Sequence, residues 1–326
     1  MKKQPLIQRA KNDAVYHLAR LAVGMGRSLP RKTGLRLFGA LGEALFALPT
    51  PDRQRTIRHL GMVFGNQWDE RRILSTARSV YRNLGKNLFD AIHVATLDDA
   101  AFDAIVRSGP LDGLKAAHDR GKGFMCVTGH IGCFEMLLPF FDRRDIRGFA
   151  IGRALYDPRI DTMVANARRS GNMKYLHRTE NPRTIIRLLS EGTGMGVLID
   201  QDTRTDGVFA HFLGKLAFTP SAPIKLAMRM KLPVFVASNA RLPDDTHMVT
   251  VTPQVEMLDT GNTERDLVLN VEKVNALLSE AILRHPEQWV WMHRRWKRTP
   301  LWRGMEEVGN VETIGRSEKC KAKSGQ

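Results

Sequence analysis

Side chains able to do acid–base chemistry are concentrated in one short segment of the 326-residue chain, Thr128 to Glu135. The apolar run Phe124 to Thr128 predicts a buried strand that ends just before His130. Glu135 follows with four residues between, in the first turn of a predicted helix, from where its carboxylate can fold back toward the imidazole. A carboxylate behind a histidine fixes the tautomer and stabilises the imidazolium. The spacing therefore predicts a general base.

A hydroxyl needs such a base because its own pKa lies far above neutrality. The sequence contains no Gly-x-Ser-x-Gly elbow and no Walker A loop, so no separate nucleophile is evident. The simplest chemistry is direct: His130 takes a proton from a substrate hydroxyl, whose oxygen attacks an activated acyl carbonyl. Backbone amides near Gly132, or a nearby arginine, would stabilise the oxyanion. By spacing alone, a hydrogen-bonded structural histidine is the commoner explanation.

Strands and helices alternate after residue 123, which predicts an α/β fold with a mostly parallel central sheet and helices on both faces. His130 then lies at the carboxyl edge of that sheet, where ligands bind in such folds. Further strands are predicted at Phe149–Arg153, Gly196–Ile199, Leu232–Ser238 and Met248–Val255, and helices at Cys133–Phe141, Arg159–Arg169, Pro182–Ser190, Ala222–Met230 and Glu264–Arg284.

An N-terminal helical region is predicted before the sheet. The first 36 residues hold nine Lys or Arg and one acid, Asp13. Apolar residues recur there at helical spacing, which predicts two amphipathic helices broken near Pro30. Such basic helices fit an anionic membrane surface, although a packed helix with a solvated charged face fits equally well. We expect membrane-associating helices over 1–50, an α/β domain over 51–303 and a flexible polar tail over 304–326.

Composition restricts the partners without choosing one. The chain has 50 Lys and Arg against 34 Asp and Glu, a formal charge of +16, which favours polyanionic partners. No helix-turn-helix, zinc finger or RNP pattern is present, so nucleic acid is not an expected partner. Cys126 and Cys133 flank His130, but no further ligands complete a zinc site, and burial as small apolar residues explains them better. No signal peptide or membrane-spanning run is evident.

The wider pattern resembles the lipid A biosynthesis acyltransferases, which belong to the larger group of glycerolipid acyltransferases with a His-x4-Asp/Glu signature. Five blocks agree in order, from about residue 50 to residue 303. They are Gly129-His130-Ile131-Gly132 through Glu135; Gly152-Arg153 through Asp157-Pro158 and Asp161; Leu198-Ile199-Asp200-Gln201-Asp202; Phe212-Leu213-Gly214 with Thr219-Pro220 and Ala222; and Pro286 through Lys297.

This resemblance implies an O-acyltransferase that moves a fatty acyl chain from an acyl carrier protein thioester to a hydroxyl of a lipid A precursor. His130 and Glu135 would form its catalytic pair, with no metal and no bound cofactor. Other glycolipid, aminolipid or phospholipid acceptors stay open, as does acyl-CoA as donor. The resemblance also implies that the enzyme acts at the cytoplasmic face of the inner membrane. Most family members carry a clear N-terminal transmembrane helix, whereas the apolar segments of this chain are charged and interrupted, so peripheral or monotopic attachment is expected.

The family blocks also imply substrate-binding residues. Arg153 would hold a phosphate of the acceptor or of the carrier's pantetheine arm, although a surface ion pair also fits. Asp200, Gln201 and Asp202 would orient His130, Arg153 or substrate hydroxyls, with structural capping an equal alternative. Gly214 and Thr219 would line an acyl groove, where a plain loop is nearly as good an explanation.

The closing block combines cations with indole rings, among them Trp289, Trp291 and Trp296. Its polar members His293, Arg294, Arg295 and Lys297 would bind a phosphorylated sugar, an acidic carrier protein or anionic lipid. Indole rings beside cations fit a membrane interface, whereas Trp291 and Trp296 fit a buried core equally well.

Overall fold

Helices make up the N-terminal region of the protein. The computed structural model describes residues 6–152, 157–168, 171 and 173–299. The predicted break at Pro30 is confirmed, since that residue separates the first two helices. Thr50 and Asp69 cap the next two by accepting hydrogen bonds from Arg53 and Arg72, as N-cap side chains do. The helices are α1 (Leu6–Ser28), α2 (Arg31–Ala47), α3 (Pro51–Phe64), α4 (Glu70–His93) and α5 (Asp99–Ile105).

Strands and helices alternate through the rest of the chain, with short 3-10 turns at Val94–Thr96, Phe134–Met136 and Pro286–Gln288. The elements are β1 (Val106–Ser108), α6 (Asp112–Asp119), β2 (Phe124–Thr128), α7 (Leu137–Asp142), β3 (Gly148–Gly152), α8 (Pro158–Arg168), β4 (Met173–His177), α9 (Pro182–Ser190), β5 (Gly194–Leu198), β6 (Gly207–Phe212), β7 (Lys215–Pro220), α10 (Ala222–Met230), β8 (Val234–Arg241), β9 (His247–Val251) and α11 (Thr263–Arg284).

Seven strands form the central sheet in the order β1-β9-β8-β2-β5-β3-β4. The five from β8 to β4 are mutually parallel, while β9 runs antiparallel to β8 and parallel to β1. Strand β2 lies in the middle and is buried along its whole length. Its residues alternate between two apolar clusters, one on each face of the sheet. The predicted fold class is confirmed.

Several elements differ from the sequence prediction. The helix predicted over Cys133–Phe141 is a 3-10 turn followed by the short helix α7, because Pro139 lacks the amide that a longer helix would need. The strands β1 and β4 and the hairpin β6–β7 were not predicted from the sequence. Strand β1 has only three residues and β4 contains polar ones, so the central sheet supplies the pairing that their own sequence does not specify. Strands β6 and β7 pair with each other in a separate two-stranded sheet.

A buried ion cluster around Asp90 fastens α2 to the sheet. Its carboxylate accepts hydrogen bonds from Arg31, the first residue of α2, and from Arg241 of β8 and His247 of β9. Burial would raise the pKa of Asp90, but His247, Arg31 and Arg241 together hold it well below its usual range. The carboxylate is therefore charged, and a neutral residue in place of Asp90 would remove the buried partner that Arg31, Arg241 and His247 share.

None of the helices in the described part of the chain combines the length and the apolar content that crossing a bilayer requires. The polar tail predicted over 304–326 lies outside the described residues, as do Cys320 and Trp302.

Candidate functional site

His130 lies just beyond the carboxyl end of β2, as predicted. Ile131 forms an isolated bridge with Trp289, and the Gly132 amide donates a hydrogen bond to the Gln288 carbonyl at 2.8 Å. Gly132 has φ +53°, and a Cβ there would lie 1.9 Å from the Asn239 carbonyl oxygen. Only glycine fits this position. The backbone that carries His130 is therefore held rigidly between the sheet and the C-terminal segment.

The carboxylate bonded to the His130 ring is that of Asp200. His130 Nδ1 lies 2.8 Å from Asp200 Oδ1, and the His130 amide donates to Asp200 Oδ2 at 2.7 Å. The Trp289 indole also donates to Oδ2, at 2.8 Å. Burial would raise the pKa of Asp200, but the nearby His130 and these hydrogen bonds hold it well below its usual range. Asp200 is thus a buried carboxylate that forms hydrogen bonds with three groups, the His130 ring, the His130 amide and the Trp289 indole.

Strand register explains why Asp200 takes the position behind the ring that we predicted for Glu135. Strands β2 and β5 are parallel neighbours that pair Thr128 with Leu198, so the residues two beyond each strand end, His130 and Asp200, lie side by side. Glu135 instead lies in the 3-10 turn before α7 and lines the same cavity as His130. The alternative role of Asp200, orienting His130, is the one that this geometry provides.

Gln201 and His293 complete the polar surroundings of the imidazole. Because Asp200 only accepts, His130 carries its proton on Nδ1, and Nε2 is the basic nitrogen. The Gln201 side-chain nitrogen lies 2.9 Å from His130 Nε2 and 2.7 Å from His293 Nε2. Burial and the proximity of His130 lower the pKa of His293 to about 4. His293 is therefore neutral near pH 7 and can accept the second amide hydrogen of Gln201.

The amides near His130 are already engaged, which argues against the oxyanion site predicted there. The Gly132 amide bonds to Gln288, the Ile131 amide bonds to the Gly129 carbonyl, and the His130 amide bonds to Asp200. The Gln201 side chain is a polar donor that lies over the imidazole, 2.9 Å from Nε2 and 3.2 Å from Nδ1.

An apolar cavity of about 690 Å³ opens at these residues. His130, Glu135 and Gln201 contribute to its wall, together with residues of β2, β3, β5 and α7. Its remaining lining is mostly aliphatic or aromatic, so the cavity is suited to a hydrocarbon chain rather than to a sugar or nucleotide. Few of these residues could be predicted from the sequence, since the apolar wall of a cavity has the same sequence pattern as a buried core.

A smaller hollow of about 460 Å³ lies beside this cavity and shares Thr205 with it. Its other lining residues are Asp202, Arg204, Asp206, Lys297 and Arg298. Asp202 is paired with Arg298 at 2.7 Å, whereas Lys297 and Arg204 are exposed. Asp202 and Lys297, which we predicted to bind substrate, thus both line this hollow, and so do Arg204 and Arg298.

Several other residues that we predicted to bind substrate instead make contacts that stabilise the fold. Arg295 is fully buried, and its guanidinium donates to the Phe218 carbonyl and to Thr219 Oγ1 at 2.7 Å. Gly214, at φ +71°, lies in the two-residue turn of the β6–β7 hairpin. Thr219, Gly214 and Arg295 therefore do not line the cavity. Arg294 is exposed, and Arg153 lies outside the described residues.

The indole rings form a core rather than a membrane-facing surface. Trp289, Trp291 and Trp296 have at most 1% exposure and pack edge to face, with ring centroids 4.8 Å apart for Trp289 and Trp291. Of the two interpretations of Trp291 and Trp296, membrane interface and buried core, the structure shows the buried core. Cys126 and Cys133 are also buried, and burial raises the pKa of Cys126 to about 12.

Fold and site together define a class: an α/β protein with a strand-end histidine–carboxylate pair at the mouth of an apolar cavity. A family model described as bacterial lipid A biosynthesis acyltransferase matches residues 9–298. The chain therefore belongs to the bacterial lipid A biosynthesis acyltransferase family, as its sequence motifs indicate.

Two relatives are similar over part of the chain. One is the lipid A biosynthesis palmitoleoyltransferase of Escherichia coli (strain K12), 25% identical over 202 residues, which are 59% of this chain and 61% of the relative. The other is a lipid A biosynthesis acyltransferase of Shigella flexneri, with the same identity and coverage. The similarity thus spans less than two thirds of either relative.

Proposed function

We propose that this protein transfers a fatty acyl chain from an acyl carrier protein thioester to a hydroxyl of a lipid A precursor. The observation that carries the proposal is the position of His130, which bonds to a buried carboxylate through Nδ1 and lines an apolar cavity. Family membership supports the lipid A precursor as acceptor. Another bacterial glycolipid, aminolipid or phospholipid, or acyl-CoA as donor, is the alternative.

The proposed reaction needs only the side chains of the site. His130 Nε2 takes the proton of the acceptor hydroxyl while that oxygen attacks the thioester carbonyl carbon. The carbon–sulfur bond then breaks, and the departing thiolate receives the proton from His130. An ester and a free carrier thiol result. Asp200 stabilises the imidazolium that forms between the two steps.

Two further groups assist in this scheme. Gln201, whose amide nitrogen lies over the His130 ring, donates a hydrogen bond to the oxyanion. Glu135 remains the second acid of the site in our proposal, because it lines the cavity with His130. It would hydrogen-bond the acceptor hydroxyl or a neighbouring polar group of the lipid.

The basic rim beside the cavity fits an acidic carrier. Arg204, Arg294 and Lys297 are exposed around the smaller hollow or near it in sequence. Exposed positive charge steers an acidic partner and speeds its association more than it strengthens the final complex. We assign this rim to the acyl carrier protein and to the phosphate of its prosthetic arm.

We propose that the solvent-exposed side of α2 attaches the protein to the cytoplasmic face of the inner membrane. Every exposed residue between positions 37 and 49 is apolar: Leu37, Ala40, Leu41, Ala44, Leu45, Ala47, Leu48 and Pro49. The opposite face packs so closely on α4 that a Cβ at Gly42 would lie 2.1 Å from the Tyr81 carbonyl oxygen. Exposed Lys11, Arg20 and Arg27 of α1 and Lys32 and Arg36 of α2 fit anionic head groups.

Lipid analysis tests the proposed reaction. Deleting the gene is expected to remove one acyl chain from lipid A, as measured by mass spectrometry, and the wild-type gene should restore it. His130→Ala should not restore it, whereas His17→Ala, a matched change at an exposed histidine of α1, should. If lipid A were intact and another lipid lost an acyl chain, that other lipid would be identified as the acceptor. Restoration by His130→Ala would contradict the mechanism.

A further inference from the structure

On the face of the central sheet that α7 covers, the neighbouring strands β3 and β5 carry mostly glycine and alanine. Strand β3 reads Gly-Phe-Ala-Ile-Gly and β5 reads Gly-Met-Gly-Val-Leu. Successive residues of a strand point to opposite faces, so the large side chains pack into the cluster on the other side. Five small residues are left on the α7 side, and we call them the small-residue floor: Gly148, Ala150, Gly152, Gly194 and Gly196.

Register places the floor in rows that lead away from His130. The row nearest the site pairs Thr128 of β2 with Leu198 of β5. The middle row is Cys126, Gly196 and Ala150, and the innermost row is Phe124, Gly194 and Gly148. All of these residues line the apolar cavity. The cavity therefore follows the strands inward from the catalytic histidine.

The middle row is open. Gly196 lies on a strand that is hydrogen-bonded on both sides, yet it is only partly buried. A Cβ at Gly196 would meet its nearest atoms at 3.7 and 4.0 Å, the Phe149 carbonyl oxygen and Ala150 Cβ. The space above Gly196 therefore belongs to the cavity, and a larger side chain there would project into it without disturbing the sheet.

The innermost row is closed. A Cβ at Gly194 would lie 2.1 Å from the Phe124 ring, and one at Gly148 would lie 2.9 Å from Met173 Sδ. The side chains of Phe124 and Met173 therefore already cover these two glycines. The side chains of Phe124 and Met173 are themselves buried, with 3% and 5% exposure, and they pack with Ile146 in one cluster. They form the end wall of the cavity.

We infer that the acyl chain of the donor lies along the small-residue floor, and that Gly196 and the end wall of Phe124 and Met173 set the longest chain that is accepted. The inference rests on the proposed function, since it assigns a depth to the same cavity. Glycines without side chains leave a slot wide enough for a methylene chain, whose burial is favourable by its apolar area alone. The terminal methyl of the preferred chain contacts the end wall.

Chain-length selectivity tests the inference. Purified wild-type protein and the series Gly196→Ala, Gly196→Val and Gly196→Leu would be given carrier proteins loaded with saturated acyl chains of graded length. We expect the preferred length to become progressively shorter, with kcat/KM for the longest chain falling roughly fourfold for each methylene that no longer fits. Met173→Ala and Phe124→Leu should act in the opposite direction and admit longer chains.

The control is Gly113→Ala on α6, where a Cβ would also lie 3.7 Å from its nearest neighbour, Phe235, but away from the cavity. It should keep the wild-type profile. Unchanged profiles in the Gly196 and Met173 variants would overturn the inference while leaving the proposed function intact, if the wild type transfers acyl chains. If the wild type transfers no acyl chains, a binding assay without turnover measures the same cavity depth: fatty acids of graded length displace a bound fluorescent fatty acid. The inference would be overturned if the longest fatty acid that displaces the probe were the same for wild type and Gly196→Leu.

Discussion

The Gln201 amide nitrogen lies 2.9 Å from His130 Nε2, the nitrogen that has to accept a proton in the proposed reaction. The same amide nitrogen lies 2.7 Å from His293 Nε2. It is also 3.2 Å from His130 Nδ1, so Gln201 lies over the face of the imidazole, next to the position that the acceptor hydroxyl needs, and it contacts a second histidine that is neutral near pH 7. Binding of acceptor should move the amide from the ring to the oxygen that becomes negative.

Gln201→Ala tests this role. If the amide stabilises the oxyanion, its loss should lower kcat by about 10²- to 10³-fold, the usual effect of removing one such donor. The KM for the acyl donor should change much less. Gln67→Ala, a change at an exposed glutamine after α3, provides the control. An unchanged or higher kcat in Gln201→Ala would show that the glutamine merely covers the histidine in the absence of substrate.

Asp200→Asn and Glu135→Gln separate the two candidate acids. Asparagine can donate to His130 Nδ1 and so favours the tautomer with its proton on Nε2, which should lower kcat by about 10⁴-fold, as in catalytic triads. Glu135→Gln should cause a smaller loss, because Asp200 keeps the ring oriented. Single-turnover rates measure both, with circular dichroism to verify folding. An equal or greater loss in Glu135→Gln would return Glu135 to the role predicted from the sequence.

A third prediction concerns the basic rim. Replacing Arg294 and Lys297 by glutamate should raise the KM for acyl carrier protein several-fold at low salt, and the effect should shrink as salt screens the charges. Transfer from a donor without an acidic protein, such as acyl-CoA, should change less. Lys122→Glu reverses an equally exposed charge at the amino end of β2 and is the control. Equal effects on both donors would count against a carrier-binding role.

The sequence predicted the alternating elements because strongly periodic apolar segments specify their own secondary structure. Strand β2 and the helices α9 and α10 were predicted to the residue. The family resemblance, which is confirmed, located Asp200 and Gln201 near the site. It could not show that Asp200 bonds to His130, because these residues are 70 positions apart and only the pairing of β2 with β5 brings them together.

Arg295 and the tryptophans show why the closing block was harder to interpret. A buried arginine that satisfies backbone carbonyls and an exposed arginine that binds phosphate have the same sequence signature. The structure distinguishes them, since Arg295 is fully buried, and burial lowers its pKa to about 10. The small-residue floor did leave a signal, the alternation of glycine or alanine with large residues in β3 and β5. It becomes informative only once both strands are known to be neighbours.

Buried histidines should make the protein sensitive to mild acid. Burial lowers the pKa of His59 to about 4, and His59 Nδ1 bonds to the Trp291 carbonyl at 2.7 Å. Between pH 6.5 and about 4 the unfolded chain binds protons at His59 and His293 that the folded chain does not, so the free energy of unfolding falls as pH falls. Below about pH 4, the depressed pKa values of Asp90 and Asp200 continue the loss.

Urea unfolding at a series of pH values measures this dependence. The stability contributed by neutral His59 is fully present above pH 6.5 and is lost toward pH 4, so His59→Asn should flatten that part of the curve. Asparagine keeps a donor for the Trp291 carbonyl, although the smaller side chain should cost stability at pH 7. A curve parallel to the wild type would show that His59 does not titrate in this range.

The last prediction is that the apolar outer face of α2 binds the membrane. Leu41 and Leu45 are 48% and 57% exposed and lie one helical turn apart, so Leu41→Ser with Leu45→Ser removes the middle of that face without touching the α2–α4 contact. Each leucine buried in a bilayer contributes roughly 1.5–3 kcal/mol, and the double variant should bind anionic vesicles at least tenfold more weakly in a flotation assay. Leu283→Ser, at a leucine of α11 that is 47% exposed, should bind like wild type. Equal binding by all three proteins would place membrane attachment elsewhere. If the double variant also keeps its activity toward a detergent-solubilised acceptor while losing activity toward the same acceptor in vesicles, α2 acts by bringing His130 to the membrane surface.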